Sequence, residues 1–185
     1  MATTTGKLEL KEILRLLSSI DHVPGDIAEC GVFHGETLKV LAMAKPSRTA
    51  FGFDTFSGLP AEAWSEGEPH SVGDFSNTSF EKVYASLKHL PNARLIQGLF
   101  PDSARHIDTR FAFVYLDLDF HRSTRDAIQW FLPRMSPGGI IVFDDYDWPY
   151  CPGVKHAIEE CGLAVKFTAA PHQVFFVAAV PLDLG

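Results

Sequence analysis

Two adjacent carboxylates, Asp144 and Asp145, follow directly on the apolar run Ile140-Ile141-Val142-Phe143. A second run, Phe113-Val114-Tyr115-Leu116, ends in Asp117-Leu118-Asp119. Neighbouring like charges repel, and a divalent cation that prefers hard oxygen ligands offsets that repulsion. Asp117, Asp144 and Asp145 are therefore candidate ligands for Mg²⁺, Mn²⁺ or Ca²⁺. The alternative is solvated acids at loop starts. Asp119 is a fourth acid, positioned to cap the next helix or to bond a substrate. Continuous apolar runs read as strands buried on both faces, which occur mainly in parallel α/β sheets. Such sheets bind ligands at the C-terminal ends of their strands, so the two runs predict one acidic pocket at one sheet edge.

Two further motifs lie upstream. Glu29-Cys30-Gly31-Val32-Phe33-His34-Gly35 joins a short strand, 27–30, to a helix over 36–44. Glycines in such a turn let a ligand approach the backbone and the helix N-terminus. The dinucleotide pattern GxGxxG is absent, since only Gly31 and Gly35 are present. That favours a ligand without phosphates over a pyrophosphate, and Glu29 would repel phosphate and attract an ammonium group. Phe51-Gly52-Phe53-Asp54 ends a second strand in an acid. Roughly 20 residues after the first glycine is the spacing that holds ribose hydroxyls, although Asp is also a common turn residue.

The elements that must position these groups follow from periodicity. Leu8, Ile13, Leu14, Leu17 and Ile20 have near-helical spacing, and Pro24-Gly25-Asp26 breaks that helix. Strands are expected at 49–53, 93–97, 111–116 and 140–143, and helices at 78–90, 123–132 and 153–161. Segments 164–169 and 173–180 form a closing pair of strands. Strands alternating with helices predict an α/β fold. Its sheet would be doubly wound, mostly parallel and seven-stranded, with an antiparallel strand at one edge.

The 185 residues fit a single domain over 1–185, with 1–24 as an N-terminal helical extension. A net charge of -7 argues against a nucleic-acid partner. No run of about 18 apolar residues is present, so no membrane span is expected. The N-terminus lacks a signal-peptide core, and the expected location is cytoplasmic. Cys30, Cys151 and Cys161 are three cysteines without CxxC spacing, and read as reduced thiols. The least regular stretch, 57–77, is long for a loop in a compact domain, which marks it as functional or mobile.

Taken in order, these segments resemble a class I S-adenosylmethionine-dependent methyltransferase. More narrowly, they resemble the macrocin O-methyltransferase (TylF-like) family. The matching residues are Glu29-x-Gly31-Val32-Phe33-x-Gly35, Phe53-Asp54-Thr55-Phe56-Ser57-Gly58-Leu59-Pro60 and Gly73-Asp74-Phe75 with Ser79-x-Glu81-x-Val83. Gly98-Leu99-Phe100-x-Asp102-Ser103, Asp117-Leu118-Asp119-Phe120-x-x-Ser123-Thr124 and Ser136-Pro137-Gly138-Gly139-x-Ile141-x-x-Asp144-Asp145-Tyr146 follow.

The resemblance implies a Rossmann-like fold with S-adenosylmethionine as cofactor. Glu29 and Gly31 would hold its methionine part, within a turn and helix start that include Val32, Phe33, Gly35 and Thr37. Asp54 would hold the ribose. Thr55, Phe56, Asp74 and Phe75 would shape the adenosine side, and Gly98 the adenine edge. Asp117 would touch the cofactor and, with Asp144 and Asp145, ligate Mg²⁺ (or Mn²⁺). The implied reaction is O-methylation of a small-molecule hydroxyl on a sugar or other natural product. The metal would chelate that hydroxyl and lower its pKa.

His121, four residues past Asp117, is a candidate general base because an unperturbed histidine titrates near 6.5. The alternative is a surface histidine at a helix start. His156 is a weaker candidate, and His34 sits in the glycine turn. Tyr146, Trp148 and Tyr150 would wall the substrate pocket or pack in the core. Family members often carry more chain ahead of the first strand. Cover for a large substrate would therefore come from the 57–77 loop, the 146–152 loop or a second subunit of a homodimer. Two rival readings are a haloacid-dehalogenase-like phosphatase built on Asp117-x-Asp119 and a non-catalytic cofactor-binding or assembly protein of the same fold. A nicotinamide-dependent dehydrogenase would want the missing third glycine.

Overall fold

The computed structural model describes residues 6–179. Five helices and seven strands alternate along it. They are α1 (Lys7–Ser19), β1 (Asp26–Cys30), α2 (Glu36–Ala44), β2 (Ala50–Asp54), α3 (Phe80–Leu87), β3 (Ala93–Gln97), β4 (Phe111–Leu116), α4 (His121–Phe131), β5 (Met135–Phe143), α5 (Pro152–Glu160), β6 (Lys166–Phe167) and β7 (Val174–Val177). The expected Val180 end of the last strand lies outside the described residues.

The strands form one sheet in the order β3-β2-β1-β4-β5-β7-β6. The first five are mutually parallel, and β7 runs antiparallel to both β5 and β6. The doubly wound, mostly parallel seven-stranded sheet expected from sequence is present. Its antiparallel strand sits one place in from the edge, under the two-residue β6.

β4 is buried at all six positions because helices cover both faces of the sheet. Phe113 and Tyr115 point into a core shared with α1, α2 and α3, where Ile13, Leu17, Leu38, Leu41, Val83 and Leu87 pack. Phe111, Val114 and Leu116 point the other way, towards Ala127, Ile128 and Phe131 of α4 and Val154 and Ile158 of α5. Leu8 and Leu14, read as part of the buried stripe of α1, are exposed; Ile13, Leu16, Leu17 and Ile20 are the residues that pack.

Several element boundaries moved: the strand expected at 164–169 shrinks to Lys166–Phe167, that expected at 173–180 ends at Val177, and three others move for a visible reason. Helix α4 begins at His121 and not at 123, since Glu68 Oε1 accepts the His121 backbone N–H at 3.0 Å. A helix start with no local side-chain cap is thus capped from a distant loop. β5 begins at Met135 and runs through Gly138-Gly139, where a bulge lets Gly138 and Gly139 pair with Ala178. α3 is shorter than 78–90, because Ser79 is its N-cap and accepts the Lys82 N–H. Among the described residues, no helix is long and apolar enough to cross a membrane.

Register fixes the geometry of the sheet edge. Cys30 pairs with both Phe53 and Leu116, and Leu116 pairs with Phe143. The next residue on each strand is therefore Gly31, Asp54, Asp117 or Asp144. A line of backbone bonds carries this row across the sheet: Gly31 N–H to Phe53 O, Asp117 N–H to Cys30 O and Asp144 N–H to Leu116 O, each 3.0 Å.

Candidate functional site: an acidic cleft at the C-terminal edge of the sheet

An open cleft of about 910 Å³ lies along this row. Its wall on the β1–β2 side is formed by Gly31, Phe33, Asp54, Thr55, Gly58, Leu59, Pro60 and Phe75. Its floor on the β4–β5 side holds Asp117, Asp119, Asp144 and Asp145, with Ser123, Leu99 and Phe100 close by. Five carboxylates line the cleft, and among the described residues that line it there is no Lys or Arg.

The backbone around the cleft is strained. Phe33, Phe56, Phe75, Asp119 and Asp145 all have left-handed φ, between 48° and 62°. Such conformations cost on the order of 1–3 kcal/mol each in non-glycine residues and gather at functional sites. Gly31, also left-handed at φ 88°, passes so close to β4 that an added Cβ would lie 1.8 Å from Asp117 O. No other residue fits at that crossing of the two strand ends.

On the β1–β2 side, charge is met by backbone. Asp54 Oδ2 accepts the N–H groups of Val32 and Phe33, each at 2.8 Å, and Oδ1 accepts Phe56 N–H at 2.7 Å. Asp54 thereby clamps the glycine turn at the edge of the cleft it lines. Thr55 is held by its hydroxyl bond to Gly58 O at 2.8 Å. Phe33 and Phe75 meet edge to face at 5.8 Å between ring centres.

Several residues expected to touch a cofactor do not line the cleft. Glu29 is buried beneath the turn, where the Leu38 N–H at the start of α2 bonds its carboxyl, and its Oε2 has no partner. Burial, with Asp54 nearby, raises its pKa well above the usual carboxylate value. Val32 and Phe56 pack in the core. Gly35 is the N-cap of α2, and Thr37 is buried in its first turn. Asp74 holds its own loop together, accepting Ser71 N–H at 2.9 Å and facing His70 Nδ1 at 3.3 Å. Gly98 donates to Asp54 O, while the next two residues, Leu99 and Phe100, reach the cleft.

The β4–β5 side is different in kind. Oxygens of Asp117, Asp119 and Asp145 lie within 4.8 Å of one another. Asp144 is beside them, and its Oδ2 accepts the Tyr115 hydroxyl at 2.6 Å. The tight trio is thus Asp117, Asp119 and Asp145, with Asp144 next to it and bonded to Tyr115. Burial raises all four, and repulsion from neighbouring aspartates adds to it at Asp117, Asp119 and Asp144. Asp117 stands well above its usual range, Asp119 is at about 6 and Asp144 at about 7. Four partly buried acids with hard oxygen donors and, among the described residues that line the cleft, no facing Lys or Arg are the chemistry of a divalent-metal site, and the residues fit Mg²⁺ or Mn²⁺.

His121 does not join this group. It opens α4, and its Nε2 lies 2.8 Å from Glu160 Oε2 at the end of α5. The base role expected for it has no support in this geometry, because the ring is engaged away from the cleft. Two residues that sequence reasoning passed over do approach the floor. Cys151 Sγ lies 3.3 Å from Asp119 Oδ1, and His70 comes down from the 57–77 loop. Only the six-residue spacing of Cys151 from Asp145 hinted at the first, and no periodicity marks the second.

A family profile described as "Macrocin-O-methyltransferase (TylF)" matches residues 1–174. A Streptomyces olivaceus protein named as an 8-demethyl-8-(2,3-dimethoxy-alpha-L-rhamnosyl)-tetracenomycin-C 4'-O-methyltransferase is 30% identical over 152 residues, covering 74% of this chain and 58% of its own. The demethyldecarbamoylnovobiocin O-methyltransferase of Streptomyces niveus is 28% identical over 181 residues, covering 85% of this chain and 66% of its own. The chain thus spans roughly three-fifths of the length of such relatives. Among solved structures, the O-methyltransferase NovP superposes with a TM-score of 0.83 at 24% identity, covering 95% of this chain and 81% of that one. A calicheamicin methyltransferase gives 0.74 at 22%, covering 94% and 80%.

Proposed function

The chain belongs to the macrocin-O-methyltransferase (TylF) family, and we propose that it transfers a methyl group from S-adenosylmethionine to a hydroxyl of a sugar or other natural product, with Mg²⁺ as the assisting ion. One observation carries this reading: among the described residues, the cleft is lined by five carboxylates and by no Lys or Arg. Such a cleft attracts a ligand with ammonium and sulfonium charges and repels phosphates. That also weighs against the phosphatase and dinucleotide readings.

S-adenosylmethionine supplies an electrophilic methyl on a sulfonium, and a divalent cation supplies Lewis acidity that lowers the pKa of a bound hydroxyl. The chain's own residues do the rest. Gly31 leaves its turn open to the methionine end, and Asp54 offers its carboxylate to the ribose. Phe33, Phe75, Leu99 and Phe100 enclose the apolar part of the donor and exclude water. Asp117, Asp144 and Asp145 supply hard oxygen donors for the ion. Asp119, whose Oδ1 accepts the Cys151 thiol, lines the same floor beside those donors and is the proton acceptor. Fixing acceptor oxygen and methyl carbon in line is where most of the acceleration arises. The relatives are named for a rhamnosyl-tetracenomycin and for demethyldecarbamoylnovobiocin, so rhamnosylated and related natural-product hydroxyls are the first acceptors to try. The test follows release of S-adenosylhomocysteine with such acceptors, with Mg²⁺ or EDTA. Acceptor-dependent release that EDTA suppresses supports the proposal. A folded protein that turns over none of them, or turns over equally in EDTA, counts against the acceptor class or the metal respectively.

A further inference from the structure

Besides the all-oxygen trio, the cleft floor carries a second cluster of different chemistry. Ligand atoms of His70, Asp119 and Cys151 lie within 4.8 Å of one another. They come from three separate segments: the 57–77 loop, the turn between β4 and α4, and the residue that precedes α5. We propose that these three side chains form a distinct site for a thiophilic divalent ion of the Zn²⁺ class, which engages Asp119, the carboxylate that also belongs to the oxygen trio.

The donor set is the first argument. Imidazole, thiolate and carboxylate together suit Zn²⁺ and its first-row neighbours, whereas Mg²⁺ prefers oxygen alone. Spacing is the second. Zinc–ligand bonds of roughly 2.0–2.3 Å at tetrahedral angles set donors about 3.3–3.5 Å apart, and Cys151 Sγ is already 3.3 Å from Asp119 Oδ1. The His70 nitrogen is within 4.8 Å of both.

The surroundings are the third argument. His70 Nδ1 faces Asp74 Oδ2 at 3.3 Å. The tautomer that donates from Nδ1 to a carboxylate presents the lone pair of Nε2, which is the outer support that metal-binding histidines commonly have. The Phe75 ring, 5.3 Å from that of His70, backs it on another side. Cys151 is 1% exposed, so the thiol is protected from bulk oxidants yet meets an ion that enters by the cleft.

Binding releases the Cys151 thiol proton to the buffer and forms a thiolate–metal bond. It also ties the 57–77 loop, through His70, to the cleft floor. The consequence for activity rests on the proposed methyl transfer: an ion held here occupies the Asp119 carboxylate and inhibits the reaction. The binding itself needs neither donor nor acceptor, so the two readings can fail separately.

The test is anaerobic titration of the metal-free protein with Co²⁺ in the presence of excess Mg²⁺, followed by displacement with Zn²⁺. One equivalent of Co²⁺ is expected to give the near-ultraviolet thiolate-to-cobalt band and the strong visible bands of four-coordination, both removed by Zn²⁺. Cys151→Ser should abolish the thiolate band. His70→Ala, in an exposed loop where loss of folding is not a concern, should weaken Zn²⁺ binding at least tenfold. Cys161→Ser changes the partly exposed thiol elsewhere and should leave the spectrum intact. No thiolate band in the wild type, a band lost with Cys161→Ser, or Zn²⁺ affinity unchanged in His70→Ala would overturn the site.

Discussion

The two sides of the cleft handle charge in opposite ways. On the β1–β2 side, the one carboxylate, Asp54, is surrounded by three backbone N–H donors and clamps the turn that it closes. On the β4–β5 side, four carboxylates face one another, with the Tyr115 hydroxyl and the Cys151 thiol as their side-chain donors. The first side is finished by folding alone. The second carries repulsion that protonation or a bound cation offsets. Folding thus satisfies the acid of one side and leaves those of the other crowded, as the proposed metal site requires.

The sharpest way to break this contrast is to remove charge from the unbalanced side. Asp145→Asn should lower turnover by about 100-fold or more and weaken Mg²⁺ at least tenfold, because it takes out a hard donor. Its binding of S-adenosylhomocysteine by calorimetry should stay within about threefold of wild type. Asp54→Ala is the reciprocal change. It should weaken S-adenosylhomocysteine at least tenfold and leave Mg²⁺ affinity unchanged. Losing three charge-assisted backbone bonds should also cost about 2–4 kcal/mol, a fall in Tm of roughly 5–15 °C.

The next effect is on pH dependence. Asp119 at about 6 and Asp144 at about 7 are raised above their unfolded values by burial and by their neighbours. The folded protein therefore holds more protons than the unfolded chain between about pH 4 and 7. Stability of the metal-free protein should fall as pH rises through that window and level off above it. Thermal melts in EDTA should show a drop on the order of 5 °C, and saturating Mg²⁺ should reverse it at pH 7.5. A melt that rises over the same window would mean the floor is not under repulsion.

The smallest effect tests a support. The Tyr115 hydroxyl bond to Asp144 favours the ionised carboxylate. Tyr115→Phe should move the Asp144 titration upward, as read by NMR, and weaken Mg²⁺ by about three- to tenfold.

Much of this architecture was legible because parallel strands buried on both faces leave unbroken apolar runs. Runs 113–116 and 140–143 marked β4, β5 and the acids at their ends. The glycine turn and Asp54 were readable for a similar reason, since local chain chemistry and position in a βα unit coincide there. What escaped depends on contacts distant in sequence. Glu68 caps α4 from 53 residues away and moves its start to His121. That start turns the His121 ring towards Glu160 and out of the role its spacing suggested. His70 and Cys151 reach the floor only because a long loop folds back, which no periodicity records. Glu29 stands in the expected motif, but strand alternation points it beneath the turn, where it bonds the start of α2 and not the cleft.

The most direct test of the central claim is calorimetric titration of S-adenosylhomocysteine into the purified protein, first with Mg²⁺ and then with EDTA. A β1–β2 side finished by folding alone predicts micromolar binding in both buffers, with the metal altering affinity by less than about tenfold. Absence of binding in both, by protein that melts cooperatively, would contradict the assignment of this cleft to a methyl donor.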